Sequence, residues 1–432
     1  MTNERKAVKT NGLNRRQFIS RTAAATLAAG AAAVPASCAG GQVQRANERI
    51  GIGLIGAGGR GSYLAGVVER LKKRGDNIDI VAVCDAYRPR MEKVAEHFGA
   101  KRYMDHRELL ADPNVDAVTI ATPDHIHGYQ AIDAIRARKD VYCEKPVTHW
   151  RQFDLAKRLA TVVKESDRVF QLGTQGMSDS AWHQMRKLVQ DGLIGQPIHA
   201  ECGYFRVGDW GERGMPIDDP DVKPGPDLNW EAFLGDSPKR PFDVSRFFRW
   251  RMYEDYSGGP VTDLFPHSLT PVTSILGLKM PSLAVATGGK FRYEEREVPD
   301  TFNMLIDYPE KITVAVLGTQ GNDYDGTGAR GAGGRIPVIR GWQGSLTVKG
   351  EEIVFTPIRE AKKAPQTFSI EHREDMEGHY GNFIECCRSR TKETNSPADL
   401  AYCTQTALLM GMASLRSGKT ARFDASKEEI VV

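Results

Sequence analysis

The sequence predicts an α/β protein in which a doubly wound parallel sheet is followed by a second, mostly antiparallel sheet. Between Ile50 and Leu172, strand-period and helix-period stretches take turns, the pattern of parallel strands wrapped by helices. From Ile198 onward strand-like stretches dominate. The length, 432 residues, is that of two or three domains by the rough rule of ~100–200 residues per domain.

The first strand is the apolar run 50–55, followed by a helix at 62–73, a strand at 78–84 and a helix at 88–98. A strand at 117–121, a helix at 127–137 and a strand at 140–143 continue the alternation; a helix at 150–165 and a strand at 169–172 complete it. Gly173-Thr174-Gln175-Gly176 breaks the pattern, so residues 49–173 form the first domain and residues 174–432 the second. Strands are expected there at 198–205, 283–291, 301–308, 312–317, 344–349 and 352–356. Residues 208–227 and the glycine-rich 318–341 take no element, and loops this long are usually binding or mobile segments. Helices return at 378–389 and 397–417, with Pro397 opening the last and Gly418 closing it.

A composition of 41% hydrophobic and 26% charged residues, with 43 Gly and 22 Pro, excludes collagen, coiled coil and wholesale disorder. The net charge of +3 divides unevenly, with +5 in residues 1–37 and −2 in the rest, which gives no reason to expect nucleic acid as a partner. Residues 1–37 read as an export signal: a basic start, the pair Arg15-Arg16 followed by Gln17-Phe18-Ile19, and the apolar run 22–34, too short for the roughly 18 residues that span a bilayer. The arrangement resembles twin-arginine signals, whose machinery exports folded proteins, and implies a periplasmic or cell-envelope protein. Cleavage after Ala36 would free the chain, whereas cleavage before Cys38 would leave a lipid there as its membrane attachment; residues 38–48 are a linker. The other cysteines, Cys84, Cys143, Cys202, Cys386, Cys387 and Cys403, show no zinc spacing and are expected as free thiols.

Gly56-Ala57-Gly58-Gly59-Arg60-Gly61 matches GxGxxG between an apolar strand and a helix. Glycines there permit a tight turn, let backbone approach a pyrophosphate and aim helix N–H groups at its charge. Asp85, ending Ile80-Val81-Ala82-Val83-Cys84-Asp85, is the acid expected on the ribose hydroxyls. It favours NAD over NADP, while Arg88 nearby weakens that preference. Ligands of doubly wound sheets bind at the carboxyl ends of strands. Thr122-Pro123-Asp124-His125-Ile126-His127 and Glu144-Lys145-Pro146 follow two strands and should face this crevice. We therefore expect Gly56, Gly58, Gly59, Arg60, Gly61, Asp85, Thr122, Pro123, His125, His127, Glu144 and Lys145 around the cofactor.

An ammonium at Lys145 beside a nicotinamide could exchange protons with a substrate hydroxyl; its plain alternative is a surface lysine at a strand end. Asp263 and His267 stand four apart, as on one helix face, although Pro266 argues for a turn rather than a regular helix. Their plain alternative is a cap and a core histidine, and no third ligand at fixed spacing suggests a metal. His125 and His127 alternate rather than stack. Among aromatic and amide groups, Tyr204, Trp210, Trp230, Trp250 and Gln175 are candidates for a sugar pocket, of which most should be core.

Taken together, GxGxxG, Val83-Cys84-Asp85, the Thr122–His127 and Glu144–Pro146 motifs, and Gly258-Gly259 leading to Asp263 and His267 resemble the Gfo/Idh/MocA family from roughly residue 49 to 424. The resemblance implies a Rossmann domain, a C-terminal α/β domain whose open antiparallel sheet mediates a homo-oligomer, and redox chemistry on a sugar or cyclitol carbinol with NAD or NADP. It places Lys145, Asp263 and His267 as catalytic residues, with Gln175, Tyr204, Asp263 and His267 against substrate. Thr270 stands where the family motif often has an Asp, which bears on specificity. The resulting expectation is an NAD-dependent sugar oxidoreductase in the cell envelope with tightly retained cofactor. A glycoside hydrolase that oxidises, eliminates and re-reduces is the alternative, and a sugar-binding protein without turnover a more distant one.

Overall fold

The computed structural model describes residues 49–208, 215–324, 334–373 and 375–432. The export signal, the linker with Cys38, and Trp210 lie outside the described residues.

Six strands form a parallel sheet: β1 (Ile50–Ile55), β2 (Ile78–Cys84), β3 (Lys101–Tyr103), β4 (Ala117–Ile120), β5 (Asp140–Cys143) and β6 (Phe170–Leu172). Their order is β3-β2-β1-β4-β5-β6, so the direction of winding reverses between β1 and β4. Helices α1 (Gly59–Lys73), α2 (Arg88–Phe98), α3 (His106–Ala111), α4 (Asp124–Arg136) and α5 (Phe153–Glu165) make the crossovers. Every residue of β1, β4, β5 and β6 is buried, as a strand covered on both faces must be. Strand β3 and helix α3 escape the sequence pattern because three residues and six residues are too short to establish a period.

After α6 (Ser180–Gln190) the chain enters a second sheet of order β15-β14-β13-β12-β7-β10-β9-β8-β16-β17. It comprises β7 (Pro197–Val207), β8 (Leu283–Gly289), β9 (Thr301–Tyr308), β10 (Ile312–Thr319), β12 (Gly334–Gly341), β13 (Gly344–Lys349), β14 (Glu352–Pro357), β15 (Gln366–Ser369), β16 (Ala421–Asp424) and β17 (Glu429–Val431). The two-residue β11 (Gly321–Asn322) pairs with β7 off this path. Among these ladders only β7 with β10 runs parallel. Strands β11 and β12 thus occupy part of the glycine-rich stretch to which the sequence pattern gives no element.

Between β7 and β8 lie α7 (Trp230–Leu234), α8 (Val244–Phe248), α9 (Pro260–Asp263) and α10 (Phe265–Leu276). The doubt that Pro266 casts on a regular helix through Asp263 and His267 is borne out, because Leu264 separates α9 from α10. Pro266 stands in the first turn of α10, where no intrahelical N–H is lost, and the helix runs twelve residues. Phe265, Leu269, Val272 and Ile275 of α10 pack on the second sheet in the largest apolar core. The final helices return to the first sheet: Tyr380, Phe383 and Ile384 of α11 (Met376–Ser389) share a core with α1, while Ala398 and Ala401 of α12 (Ala398–Ser417) join that of α4 and α5. All six described cysteines are free thiols.

Candidate functional site

At the carboxyl ends of β1 and β2 the glycine motif makes its turn. Gly56 has φ +94°, and a Cβ there would lie 2.7 Å from the Ala121 carbonyl carbon. A Cβ on Gly61 would lie 1.8 Å from the Gly56 oxygen, so α1 can approach the turn only with glycine. The first N–H groups of α1 thereby open on the cavity that Gly56, Gly58, Gly59 and Arg60 line.

The cavity measures about 1120 Å³, larger than the ~300–1,000 Å³ of ordinary ligand pockets and suited to a dinucleotide together with a small substrate. Asp85, Thr122, Pro123, His127, Glu144 and Lys145 stand on its wall. The Asp85 carboxylate accepts the backbone N–H of Ala57 at 2.6 Å and of Tyr87 at 2.8 Å. Burial raises its pKa against the opposing pull of those hydrogen bonds. Arg60 reaches Glu144, with Nε and Nη2 2.8 and 2.7 Å from Oε1. The turn carrying Lys145 is thereby tied to the glycine loop.

Helix α4 starts three residues earlier than the pattern suggests, because Pro123 ends the extended segment and Asp124 and His125 already belong to its first turn. The His127 ring nitrogens face the carbonyl oxygens of Thr122 and Pro146, both at 2.7 Å, which staples the two strand-end loops together. His125 points away from the cavity wall: its Nε2 meets the Phe233 carbonyl at 2.6 Å, and its ring packs against Phe233 and Tyr256. Burial lowers both histidine pKa values, that of His125 to about 4.

Lys145 Nζ, on the cavity wall, donates to Asp263 Oδ1 at 2.7 Å and to the Asp263 carbonyl at 2.6 Å. The structure thus brings together two of the three residues that the resemblance marks as catalytic, 118 positions apart in sequence. Asp263 closes α9 and His267 lies in α10, so a junction at Leu264 separates them rather than one continuous helix. His267 is near enough for both charges to act on it; burial, then Lys145, pushes its pKa down to about 3 and keeps the imidazole neutral. For Asp263, burial works to raise the pKa, but Lys145 and Arg251 together hold it well below the usual carboxylate range.

Two neighbours, Arg251 and Asp124, escape sequence reasoning. Arg251 Nε lies 3.4 Å from Asp263 Oδ1, and its guanidinium stacks 4.2 Å above the Trp250 ring; both residues line the cavity. Asp124 accepts from Thr262 Oγ1 at 3.0 Å, and burial raises its pKa to about 7. Its place in the Thr122–His127 motif was a signal; nothing local marks Arg251. Thr270 donates to the Pro266 carbonyl of its own helix at 2.6 Å.

Of the four residues expected against substrate, Gln175, Tyr204, Asp263 and His267, none is on the cavity wall; Asp263 meets it through Lys145 and Arg251, which are. Gln175 lies in a short 3₁₀ turn after β6, with Oε1 buried, and Tyr204 lies in β7 against the second sheet's core. Trp230 is likewise core, stacked on Phe233 with its N–H on the Arg240 carbonyl. Arg88, which the sequence sets beside Asp85, turns to Asp227 at 2.9 Å and the Pro226 carbonyl at 3.0 Å; of the two arginines that open α2, the one on the cavity wall is Arg90.

Two family models match the chain, together covering more than half of it. Residues 50–174 match the oxidoreductase family NAD-binding Rossmann fold, and residues 178–336 match the oxidoreductase family C-terminal alpha/beta domain. Inositol 2-dehydrogenase of Mycolicibacterium smegmatis is 32% identical over 157 residues, 35% of this chain and 42% of that protein. Inositol 2-dehydrogenase of Salmonella typhimurium is 26% identical over 238 residues, 55% of this chain and 61% of that protein. These matches therefore span less than two thirds of the relatives' own lengths. Among solved structures, the WlbA dehydrogenase of Bordetella pertussis, in complex with NADH and UDP-GlcNAcA, superposes with TM-score 0.63 at 18% identity, covering 87% of this chain and 99% of that one. An NAD-binding oxidoreductase of Klebsiella pneumoniae gives TM-score 0.64 at 19% identity, covering 87% and 98%. At such identities the likeness is one of fold.

Proposed function

Because the chain belongs to the Gfo/Idh/MocA oxidoreductase family, we propose that it is an NAD-dependent oxidoreductase acting on a hydroxyl or keto group of a sugar, cyclitol or glycoside. The observation that carries this reading is Lys145, held by Asp263, on the wall of a cavity that the glycine turn and the acid after β2 also line. Gly56, Gly58, Gly59 and Asp85 would hold the dinucleotide, and the close approach that Gly56 and Gly61 allow fits it. When bound, the nicotinamide supplies the acceptor or donor of hydride.

The protein's own groups then handle the oxygen. Asp263 holds Lys145 Nζ, whose ammonium polarises the substrate oxygen, while Arg251 shares the Asp263 charge. His267, neutral, takes the hydroxyl proton on a ring nitrogen and returns it in the reverse direction. Exchange of the two roles leaves the same residues in contact with the oxygen.

Envelope location is part of the proposal, supported by the paired arginines and apolar run of residues 1–37. Tight cofactor retention would suit a location without a free nicotinamide pool. A homo-oligomer through the second sheet is supported by Val285 and Leu305, exposed and directly opposite each other on β8 and β9. The test incubates purified protein with sugars, cyclitols and glycosides while following nicotinamide absorbance and released products. Net change in cofactor supports the dehydrogenase; aglycone released without net redox change supports the hydrolase reading; neither, with every substrate class, refutes both.

A further inference from the structure

We propose that Asp218, carried from the second half of the chain to the end of β2, is a cofactor-specificity residue that closes the cavity to a 2′-phosphate and so enforces NAD over NADP. The inference rests on reading the cavity as a dinucleotide site.

Asp85 and Arg90 both line the cavity after β2. Arg90 lies one turn into α2, close enough to Asp85 for the two charges to act on each other. It also reaches the glycine loop, since a Cβ on Gly58 would lie 3.3 Å from Arg90 Nη1. A guanidinium beside the ribose acid is the group that would receive a 2′-phosphate, because its planar fork offers two parallel N–H donors to a phosphate. Here the Nε–Nη2 edge of that fork is already engaged. Asp218 accepts from Nε at 2.5 Å and from Nη2 at 3.0 Å, and the Phe248 ring lies 5.0 Å from the guanidinium carbon.

Two consequences follow for a nucleotide. One edge of the guanidinium, Nε and Nη2, is occupied by a carboxylate while Nη1 faces the glycine loop, and Asp218 adds a second negative charge that acts on Asp85. Two carboxylates against one guanidinium leave the corner net negative, which disfavours a phosphate and is indifferent to a neutral hydroxyl. Asp218 belongs to the strap whose Met215 and Pro216 also line the cavity. That strap is fixed beside β2 by the Arg88–Asp227 pair and by the backbone N–H of Asn229 on the Ala86 carbonyl at 2.8 Å.

Calorimetric titration of nucleotide-stripped full-length protein with NAD and with NADP tests this without any substrate. Wild type should prefer NAD. Asp218→Asn, which keeps the size and removes the charge, should bind NADP about tenfold more tightly or better, with NAD affinity changed less than about threefold. Adding Arg90→Gln should abolish the gain, and Asp218→Ser should reproduce it if the Asn variant folds poorly. Unchanged NADP affinity in both Asp218 variants, or equal loss of both nucleotides, overturns the inference while leaving a dinucleotide site in place. Wild type binding neither nucleotide overturns the dinucleotide reading and the inference with it.

Discussion

Replacing Asp263 by Asn keeps the side-chain volume and removes a charge that two cations share. Lys145 Nζ lies 2.7 Å and Arg251 Nε 3.4 Å from the same carboxylate oxygen, and the Lys145 and Asp263 side chains are only 10% and 12% exposed. At an effective dielectric of about 20 those separations correspond to gross attractions of ~6 and ~5 kcal/mol. Desolvation offsets much of this, and removing one partner of a buried pair costs about 3–5 kcal/mol. The lower end applies here, because the amide oxygen and the backbone carbonyl, now 2.6 Å from Nζ, still accept from Lys145. We expect Asp263→Asn to lose ~3 kcal/mol in urea unfolding at pH 7. Because the folded carboxyl titrates below its ordinary value, its stabilisation is fully present above the unfolded pKa and is lost as pH falls. The difference between wild type and variant should therefore be constant from about pH 5 to 9 and narrow below about pH 4. A variant as stable as wild type at pH 7, or a gap that widens on acidification, would refute the electrostatic account.

Lys145→Ala should abolish hydride transfer with every sugar while NAD affinity stays within about threefold; full turnover would remove the ammonium from the mechanism. Asp85→Ala should weaken NAD binding by about tenfold or more, measured by calorimetry, since the change removes both a ribose acceptor and the ties to Ala57 and Tyr87. For Gly61→Ala, a Cβ 1.8 Å from the Gly56 oxygen must push α1 from the turn, so both thermal stability and NAD affinity should fall, whereas loss of neither would show the turn to be pliable. Asp124→Asn tests the opposite linkage. With its folded pKa raised to about 7, Asp124 makes wild type lose stability as pH rises from about 4 to about 7; the Asn variant should gain relative to wild type over that window, by at most ~4 kcal/mol, and a parallel pH profile would exclude the shift.

Much of the first sheet was legible because a strand buried on both faces needs a continuous apolar run, and Ile50–Ile55 and the Val141-Tyr142-Cys143 part of β5 have one. GxGxxG was legible for a steric reason, since Gly56 and Gly61 leave no space for a Cβ. The stretch between Gly208 and Phe265 was not. Its short helices at Trp230–Leu234 and Val244–Phe248 have no room for a repeat, and an aromatic cluster with Tyr87, Phe233 and Phe248 fixes them instead. Arg88 and Arg90 show the same limit: both follow β2 in sequence, and only the carboxylates that meet them, Asp227 and Asp218, decide which one stays on the cavity wall.

By itself the sequence determined the long buried strands, the glycine turn and the acid after β2, because each follows from the steric and hydrophobic demands of a few adjacent residues. Only the tertiary structure decided that Asp263 holds Lys145, that Arg251 shares that charge, and that Gln175 and Tyr204 stand off the cavity wall. Charge pairing depends on distance in space, and where the chain crosses itself is settled by the packing of whole elements rather than by spacing along it.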